Sequence, residues 1–414
     1  MGQTGCGLEV QLEAMYRFVA DPEPPVSVVS DDFKTAALRD VDYELLKQRK
    51  AFFRPDSAVA IVMVTDEDDG SIDPLSVGGF GYAFASRDFP GSKVRRGSAA
   101  QGTTAPRGTS TCATDPLSPD CTSCGFAQNC DPSTAACQKI KDDPNCKVSG
   151  DQTQTGVGYD GFYPAAYDEL NVRMFDMRTR FGVEPRFPVT RYSTGLTGRL
   201  VPSRATAHPE TKSANGQRQI AAYAQARTCQ NPLFAKDLPE KPGDELCQLQ
   251  DNGRSSRLVF FGLLGGAPAD LVSPSANFTK LVGANPPSDG SVSNDDALDP
   301  RMVQSTDARP GTSGDYDTQK RDLQHACTFE LPTPIDCVGN VMCECNPTDL
   351  QPPSLCSGTT QIRGKAYPTF REILLAQQLG DRAIVGSTCD VDAAKSYGQF
   401  LGTFASKVNG ALAK

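Results

Sequence analysis

The chain has 414 residues, which is too long for one ordinary hydrophobic core and predicts two or three packed units. Its net charge of −9 without a basic stripe argues against nucleic-acid binding, and no apolar run reaches the roughly 20 residues that span a bilayer. Fifteen cysteines beside only two histidines are typical of an exported protein with about seven disulfides.

The start of the chain conflicts with that expectation. The residues after Met1 contain neither a basic region nor an apolar segment, so they do not form a signal peptide. We therefore expect either that the signal lies on a preceding part of the protein or that Met1 is not the natural start.

The first segment combines a glycine-rich turn with a helix. Residues 2–7 form the turn, and apolar residues recur at helical spacing from Leu8 to Val19. A phosphate could bind such a turn, but no strand precedes it and no Walker lysine follows. A second helix is predicted over residues 41–52.

The most distinctive stretch is 58–71, where seven apolar residues are followed by Thr65 and four acids. The apolar run predicts a strand buried on both faces of a parallel sheet, whose carboxyl end is a usual place for ligands. The acids Asp66, Glu67, Asp68 and Asp69 would suit a hard divalent cation. A solvated acidic turn is the alternative.

A cysteine cluster follows a stretch without regular pattern. It contains Cys112, Cys121, Cys124, Cys130, Cys137 and Cys146. The spacing of Cys121 and Cys124 allows a zinc site, but no second such pair or histidine follows at ligand spacing. We favour a small insert held by disulfides.

The middle of the chain is mixed. Residues 160–182 predict a helix that ends at Gly182, residues 186–192 resemble a strand, and Cys229 is expected to pair with Cys247. His208 stands among polar residues and is predicted to lie on the surface.

A second buried strand is predicted at 257–266, and a long loop at 283–320. A second cysteine group follows, formed by Cys327, Cys337, Cys343, Cys345 and Cys356. Cys343 and Cys345 are too close in sequence to bond easily to each other, so each should reach another cysteine. His325 near Cys327 is weak support for zinc.

The last part is regular. A helix at 367–379, a strand at 382–388 and a helix at 390–412 alternate with short turns. This order is typical of a doubly wound, mainly parallel α/β sheet. Cys389 follows the strand and completes the set of fourteen disulfide candidates.

Several stretches of the sequence together resemble a known protein family. The phrases TGCGLEVQLEAM, FRPDSAVAIVMVTDEDD, ELNVRMFDMRTRFG, CTFELPTPIDC and IRGKAYPTFRE resemble von Willebrand factor type A (VWA)-like domains of large exported bacterial proteins with a cysteine-rich insert. The resemblance implies core parts at 1–70, 251–282 and 365–414. It implies insertions at 71–250, with a cysteine-rich segment at 112–146 and a helix at 166–181, and at 283–364.

The resemblance also implies a metal site. VWA domains hold Mg²⁺ or Ca²⁺ near the strand ends, and the matching residues here are Asp66 and Thr4, with Asp68 and Asp69 beside them. The DxSxS strand of the family is missing, although residues 289–293 fit that pattern within a polar loop. In the resembled proteins the acidic loop ends in cysteine; Gly70 stands there instead, which would leave Cys6 as a free thiol.

Three functions follow as hypotheses. The first is a non-enzymatic binding or adhesion module that holds a protein partner through a cation at the acidic loop. The second is a structural or assembly subunit of a cell surface, built on the sheet without metal. An enzyme is disfavoured, because no nucleophile, HExxH or Walker motif is present. We expect an extracellular, cell-surface or periplasmic location, a protein partner or self-assembly, and neither a nucleic-acid partner nor a transmembrane segment.

Overall fold

The computed structural model describes residues 8–30, 35–92, 94, 103–128, 130–147, 161–208, 227–251, 253–291, 295–340, 343–347, 352–389 and 393–413. The strands are β1 (Ser27–Val29), β2 (Ala37–Arg39), β3 (Val59–Val64), β4 (Leu200–Pro202), β5 (Arg227–Gln230), β6 (Val259–Gly265), β7 (Cys327–Asp336), β8 (Cys356–Ser357), β9 (Thr360–Ala366) and β10 (Ala383–Ser387). The helices are α1 (Gln11–Val19), α2 (Tyr43–Phe52), α3 (Ser76–Gly79), α4 (Ala135–Asp142), α5 (Pro144–Lys147), α6 (Met177–Phe181), α7 (Val189–Thr197), α8 (Ala269–Val272), α9 (Phe278–Val282), α10 (Phe370–Leu379) and α11 (Ala393–Leu412).

The centre of the α/β fold is a parallel sheet of three strands in the order β10-β6-β3. Every residue of β6 is buried, as its uninterrupted apolar sequence predicts for a strand between two neighbours. The three strands predicted from the sequence are confirmed, each within two residues of its expected ends.

Helices pack on both faces of this sheet. Phe261 and Leu263 of β6 belong to a core that includes residues of α1, α7 and α10. On the opposite face, a Cβ placed at Gly262 would lie 3.0 Å from Phe400 of α11, so glycine allows the helix to approach closely. The alternation of side chains along β6 therefore separates two helical layers.

β3 corrects one prediction. We expected it to be buried on both faces, but only Val59 and Met63 are buried. Val62 is 43% exposed and Val64 is 61% exposed. β3 forms one edge of the sheet, and in the described part of the chain no helix covers these two valines.

Three antiparallel sheets surround the core and were not predicted. β7, β9 and β8 form one of them, β1 pairs with β2, and β4 pairs with β5. A second apolar cluster lies in the segment 83–183 and includes Phe84, Met177 and Phe181. The cysteine-rich segment therefore packs beside an apolar core rather than relying on disulfides alone.

All fourteen cysteines predicted to form disulfides are paired. The pairs are Cys112–Cys121, Cys124–Cys146, Cys130–Cys137, Cys229–Cys247, Cys327–Cys389, Cys337–Cys343 and Cys345–Cys356. The zinc alternative at Cys121 and Cys124 is therefore wrong, because both sulfurs are used in separate disulfides. Cys6 lies outside the described residues, so its free thiol stays a prediction.

Two secondary-structure predictions are wrong. The helix expected over 160–182 is broken into short turns and α6, because Asp176 has a left-handed backbone with φ of 40°. The strand expected at 186–192 overlaps α7, in which Val189, Tyr192 and Leu196 are buried at helical spacing. The predicted stop at Gly182 is confirmed, since its φ of 68° ends α6.

Candidate functional site

The acidic loop follows β3 at the carboxyl edge of the sheet. The Thr65 amide donates to the Leu264 carbonyl of β6 at 3.0 Å, and the Asp66 carbonyl accepts from the Tyr367 amide at 2.8 Å. Asp66 has an exposed side chain, whereas Asp69 is fully buried. The four acids therefore occupy different environments and cannot share one role.

Asp69 caps α1 from outside that helix. Its carboxylate accepts from the Leu12 amide at 3.1 Å and from the Ser71 hydroxyl at 2.5 Å. The helix has no capping side chain of its own at Val10. A carboxylate near the first amides of a helix satisfies unpaired donors and interacts favourably with the helix dipole.

Asp69 also forms a buried ion pair with Arg371 of α10. The Arg371 Nε lies 3.3 Å from an Asp69 oxygen, and both side chains are inaccessible to solvent. Arg371 donates further to the carbonyls of Phe187 and, at 3.3 Å, of Asp289. This one guanidinium therefore connects the acidic loop, α10 and the segments before α7 and around Asp289.

Asp68 caps α10 in the same way as Asp69 caps α1. It accepts from the backbone amide of Arg371 at 2.8 Å and from the Gln304 side chain at 3.0 Å, and Arg186 lies 3.6 Å away. Thr369, at the start of α10, makes no side-chain cap. Two successive acids thus cap two different helices and hold them at the sheet edge.

Glu372 is the partner that the sequence did not reveal. It is completely buried, and its carboxyl accepts from the Gln11 side chain at 2.6 Å. Burial, with the negative charges of Asp68 and Asp69 next, raises the pKa of Glu372 well above its usual range. The positive charges that face this cluster come from Arg371 beside Asp69 and from Arg186 beside Asp68.

This arrangement does not fit the predicted cation. In the described ranges, no three His, Cys, Asp or Glu side chains are grouped so that they could hold a metal ion. Asp68 and Asp69 are engaged by helix amides and arginines, and Thr4 lies outside the described residues. A divalent cation needs several free oxygen ligands, so we derive no function through one. The predicted metal role of Asp66 and Thr4 stays untested.

The residues of the 289–293 sequence that the structure describes also form contacts with other side chains of the protein. Asp289 forms an ion pair with Arg178 and accepts from the Ser291 hydroxyl at 2.8 Å. Residues 292 and 293 lie outside the described part of the chain. Asp289 therefore forms an ion pair and a hydrogen bond within the protein.

Glu67 gives this loop a pH dependence. Burial, followed by the charges of Asp66 and Glu9, raises the pKa of Glu67 to about 7. When the pKa of a carboxyl is higher in the folded state than in the unfolded state, the folded state binds the proton more tightly. The free energy of unfolding therefore falls as the pH rises from the unfolded-state pKa to the folded-state pKa. Between pH 5 and 8 the unfolding free energy should therefore fall by about 1–2 kcal/mol through this partly exposed group.

Urea unfolding of the wild type and of Glu67→Gln at both pH values measures this contribution, because glutamine does not titrate. Glu330→Gln, an exposed glutamate, serves as the control. Equal pH dependence in the wild type and Glu67→Gln would contradict the assignment.

The histidine predictions need correction. His208 was expected on the surface, but it is mostly buried and its Nδ1 lies 2.7 Å from a carboxylate oxygen of Asp73, which is itself buried. His208 borders a cavity of about 360 Å³, whose lining also includes Ile72 and Phe187. The sequence could not reveal this pair, because its members are 135 residues apart.

His325 does not share a zinc site with Cys327. It is buried, its carbonyl accepts from Arg309 at 2.7 Å, and burial lowers its pKa to about 4. Its neighbour Cys327 is used in a disulfide. The zinc alternative at this histidine is therefore unsupported.

No protein-family profile, curated protein or solved structure matches this chain at a significant level.

Proposed function

We propose that this chain is a non-enzymatic assembly module, in which two copies join through the open edge of β3. The observation that carries the proposal is an apolar edge strand without a partner in the described part of the chain. Unpaired edges are the usual route by which sheets recruit another chain. The VWA-like, doubly wound arrangement is part of the same proposal, supported by the parallel sheet between two helical layers.

The hydrogen-bonding direction of β3 supports this use. Thr65 donates to β6, and alternate residues of a parallel strand face the same neighbour. Val59, Ile61 and Met63 therefore face β6, whereas the backbone groups of Ala60, Val62 and Val64 face the open side. The exposed valine side chains belong to these same residues, so an added strand would satisfy backbone groups and cover apolar surface together.

The charges at the two ends of β3 favour a second copy. Arg54 is exposed before the strand begins, with the exposed Asp56 between it and the strand, and Asp66 is exposed after the strand ends. In an antiparallel pair about a twofold axis, the basic end of one strand lies beside the acidic end of the other. The edge is therefore complementary to itself in hydrogen bonding, and Arg54 of one copy can attract Asp66 of the other.

The non-enzymatic part of the proposal is supported by the histidines. His208 bonds to Asp73, and His325 is buried beside Arg309. In the ranges that the structure describes, neither side chain is hydrogen-bonded to a serine or cysteine that could act as a nucleophile.

The proposed location is extracellular, cell-surface or periplasmic. Seven disulfides support an oxidising compartment. Among the described helices, none has the length and apolar character required to cross a bilayer.

Sedimentation velocity over the micromolar range tests the assembly. We expect a concentration-dependent dimer that Val64→Lys converts to monomer, because a charged lysine blocks edge pairing. Val338→Lys is the matched control, since Val338 is 64% exposed and lies away from β3. Arg54→Asp should weaken the dimer, and Arg54→Asp with Asp66→Arg should restore it. A monomer at every concentration, or a dimer unaffected by Val64→Lys, would exclude the proposal.

A further inference from the structure

A second cavity, of about 430 Å³, lies far along the chain from β3 and between the two cysteine-containing insertions. Its walls include Arg107, Arg180, Lys320, Tyr163, Tyr167 and Phe175, which we name the arginine–tyrosine pocket. Three side chains are cationic and three are aromatic. No carboxylate belongs to the described lining, which is unusual in a chain with net charge −9.

Backbone carbonyls hold the two arginines in place. Arg107 donates from Nε to the Phe162 carbonyl at 3.1 Å, and Arg180 donates to backbone carbonyls that include Tyr167 at 3.0 Å. In the described chain neither guanidinium forms an ion pair with a carboxylate. Asp168 and Asp176 both lie near enough to Arg180 to interact with its charge, and Asp168 is itself paired with the buried Arg173 at 2.9 Å.

The aromatic rings fix the guanidiniums further. Arg107 lies 4.9 Å from the centre of the Tyr163 ring, and Arg180 lies 5.7 Å from that of the same ring. The Tyr163 hydroxyl donates to the Arg180 carbonyl at 2.8 Å, which holds the ring between the two arginines. Arginine stacked on a ring keeps donors free for a planar or tetrahedral oxyanion.

Lys320 completes the positive wall. Its ion pair with Asp307 is on the surface, where both side chains are well exposed, so the pair contributes little and can open. A ligand anion inside the cavity would compete for this ammonium together with the two guanidiniums.

We propose that the arginine–tyrosine pocket binds an aromatic sulfate or phosphate monoester. The oxyanion would lie against the arginines and Lys320, because charge-assisted hydrogen bonds to such groups are strong and directional. The ring of the ligand would pack against Tyr167 and Phe175, and a cavity of this volume suits a small molecule or a single modified side chain. This site is separate from β3 and independent of the assembly proposed there.

Calorimetric titration of the full chain with phenyl phosphate and phenyl sulfate tests the site and separates the two oxyanions. We expect at least one of them to bind, with phenol binding far more weakly. Arg107→Gln should weaken binding by about tenfold through the loss of a charged hydrogen-bond donor. Lys320→Gln, at a partly exposed position, should weaken it in the same direction.

Arg199→Gln is the matched control. Arg199 also lies over a ring, 5.1 Å from the centre of Phe234, but it is paired with Asp251 at 2.6 Å. Its replacement should leave the affinity unchanged. The proposal is overturned if neither ester binds at millimolar concentration, if phenol binds equally well, if Lys320→Gln has no effect, or if Arg199→Gln weakens binding as much as Arg107→Gln.

Discussion

Replacement of Arg371 by methionine should lower the free energy of unfolding by about 3–5 kcal/mol. The reason is that Asp69 would keep its charge in a position without solvent while losing the guanidinium that lies 3.3 Å from its carboxylate. The carbonyls of Phe187 and Asp289 would lose a donor as well. Urea unfolding measures the change, and a protein too unstable to purify would be the extreme form of the same result.

Two variants isolate the cause of that loss. Arg363→Met removes an exposed arginine that lies 3.5 Å from Glu330, and it should change stability by less than about 1 kcal/mol. Arg371→Met combined with Asp69→Asn should be more stable than Arg371→Met alone, because the buried charge is gone. If the single variant matches Arg363→Met, the ion pair does not stabilise the loop.

Replacement of Cys327 and Cys389 together by alanine should cost about 4 kcal/mol, the second large effect that we expect. This disulfide joins the beginning of β7 to the residue two positions after β10, across a sequence separation of 62 residues. A long loop gains the most freedom in the unfolded chain when its crosslink is removed. The midpoint of urea unfolding under oxidising conditions reports the loss.

The disulfide between Cys130 and Cys137 is the matched control. Its sequence separation is only 7 residues, so its removal should cost about 2 kcal/mol. A larger loss for this short loop than for the long one would contradict the loop-entropy explanation.

The acidic loop shows why the sequence was a good guide to position and a poor guide to role. The apolar run before Asp66 correctly predicted a strand whose carboxyl end carries four acids. Capping of α1 by Asp69 and of α10 by Asp68 could not be read from the sequence, because each helix lies far from the loop along the chain. Carboxylates that bind a metal and carboxylates that cap a helix have the same local pattern.

The errors elsewhere have similar physical causes. The sequence of residues 186–192 resembles a strand. However, Val189, Tyr192 and Leu196 recur at helical spacing and form the buried face of α7. His208 stands among polar residues in sequence but packs beside Phe187 and bonds to Asp73. In each case a tertiary partner outweighs the local pattern.

The sequence by itself determined the three parallel strands, the helices that end the chain and the use of fourteen cysteines in disulfides. These features depend on local apolar periodicity and on cysteine content, both of which are properties of the sequence itself. The tertiary structure alone decided which cysteines pair, which acids are buried, that β3 lies at an open edge and that three cations surround an aromatic pocket. Those properties arise from contacts between segments that are apart in the chain, where burial and charge depend on the neighbours that folding supplies.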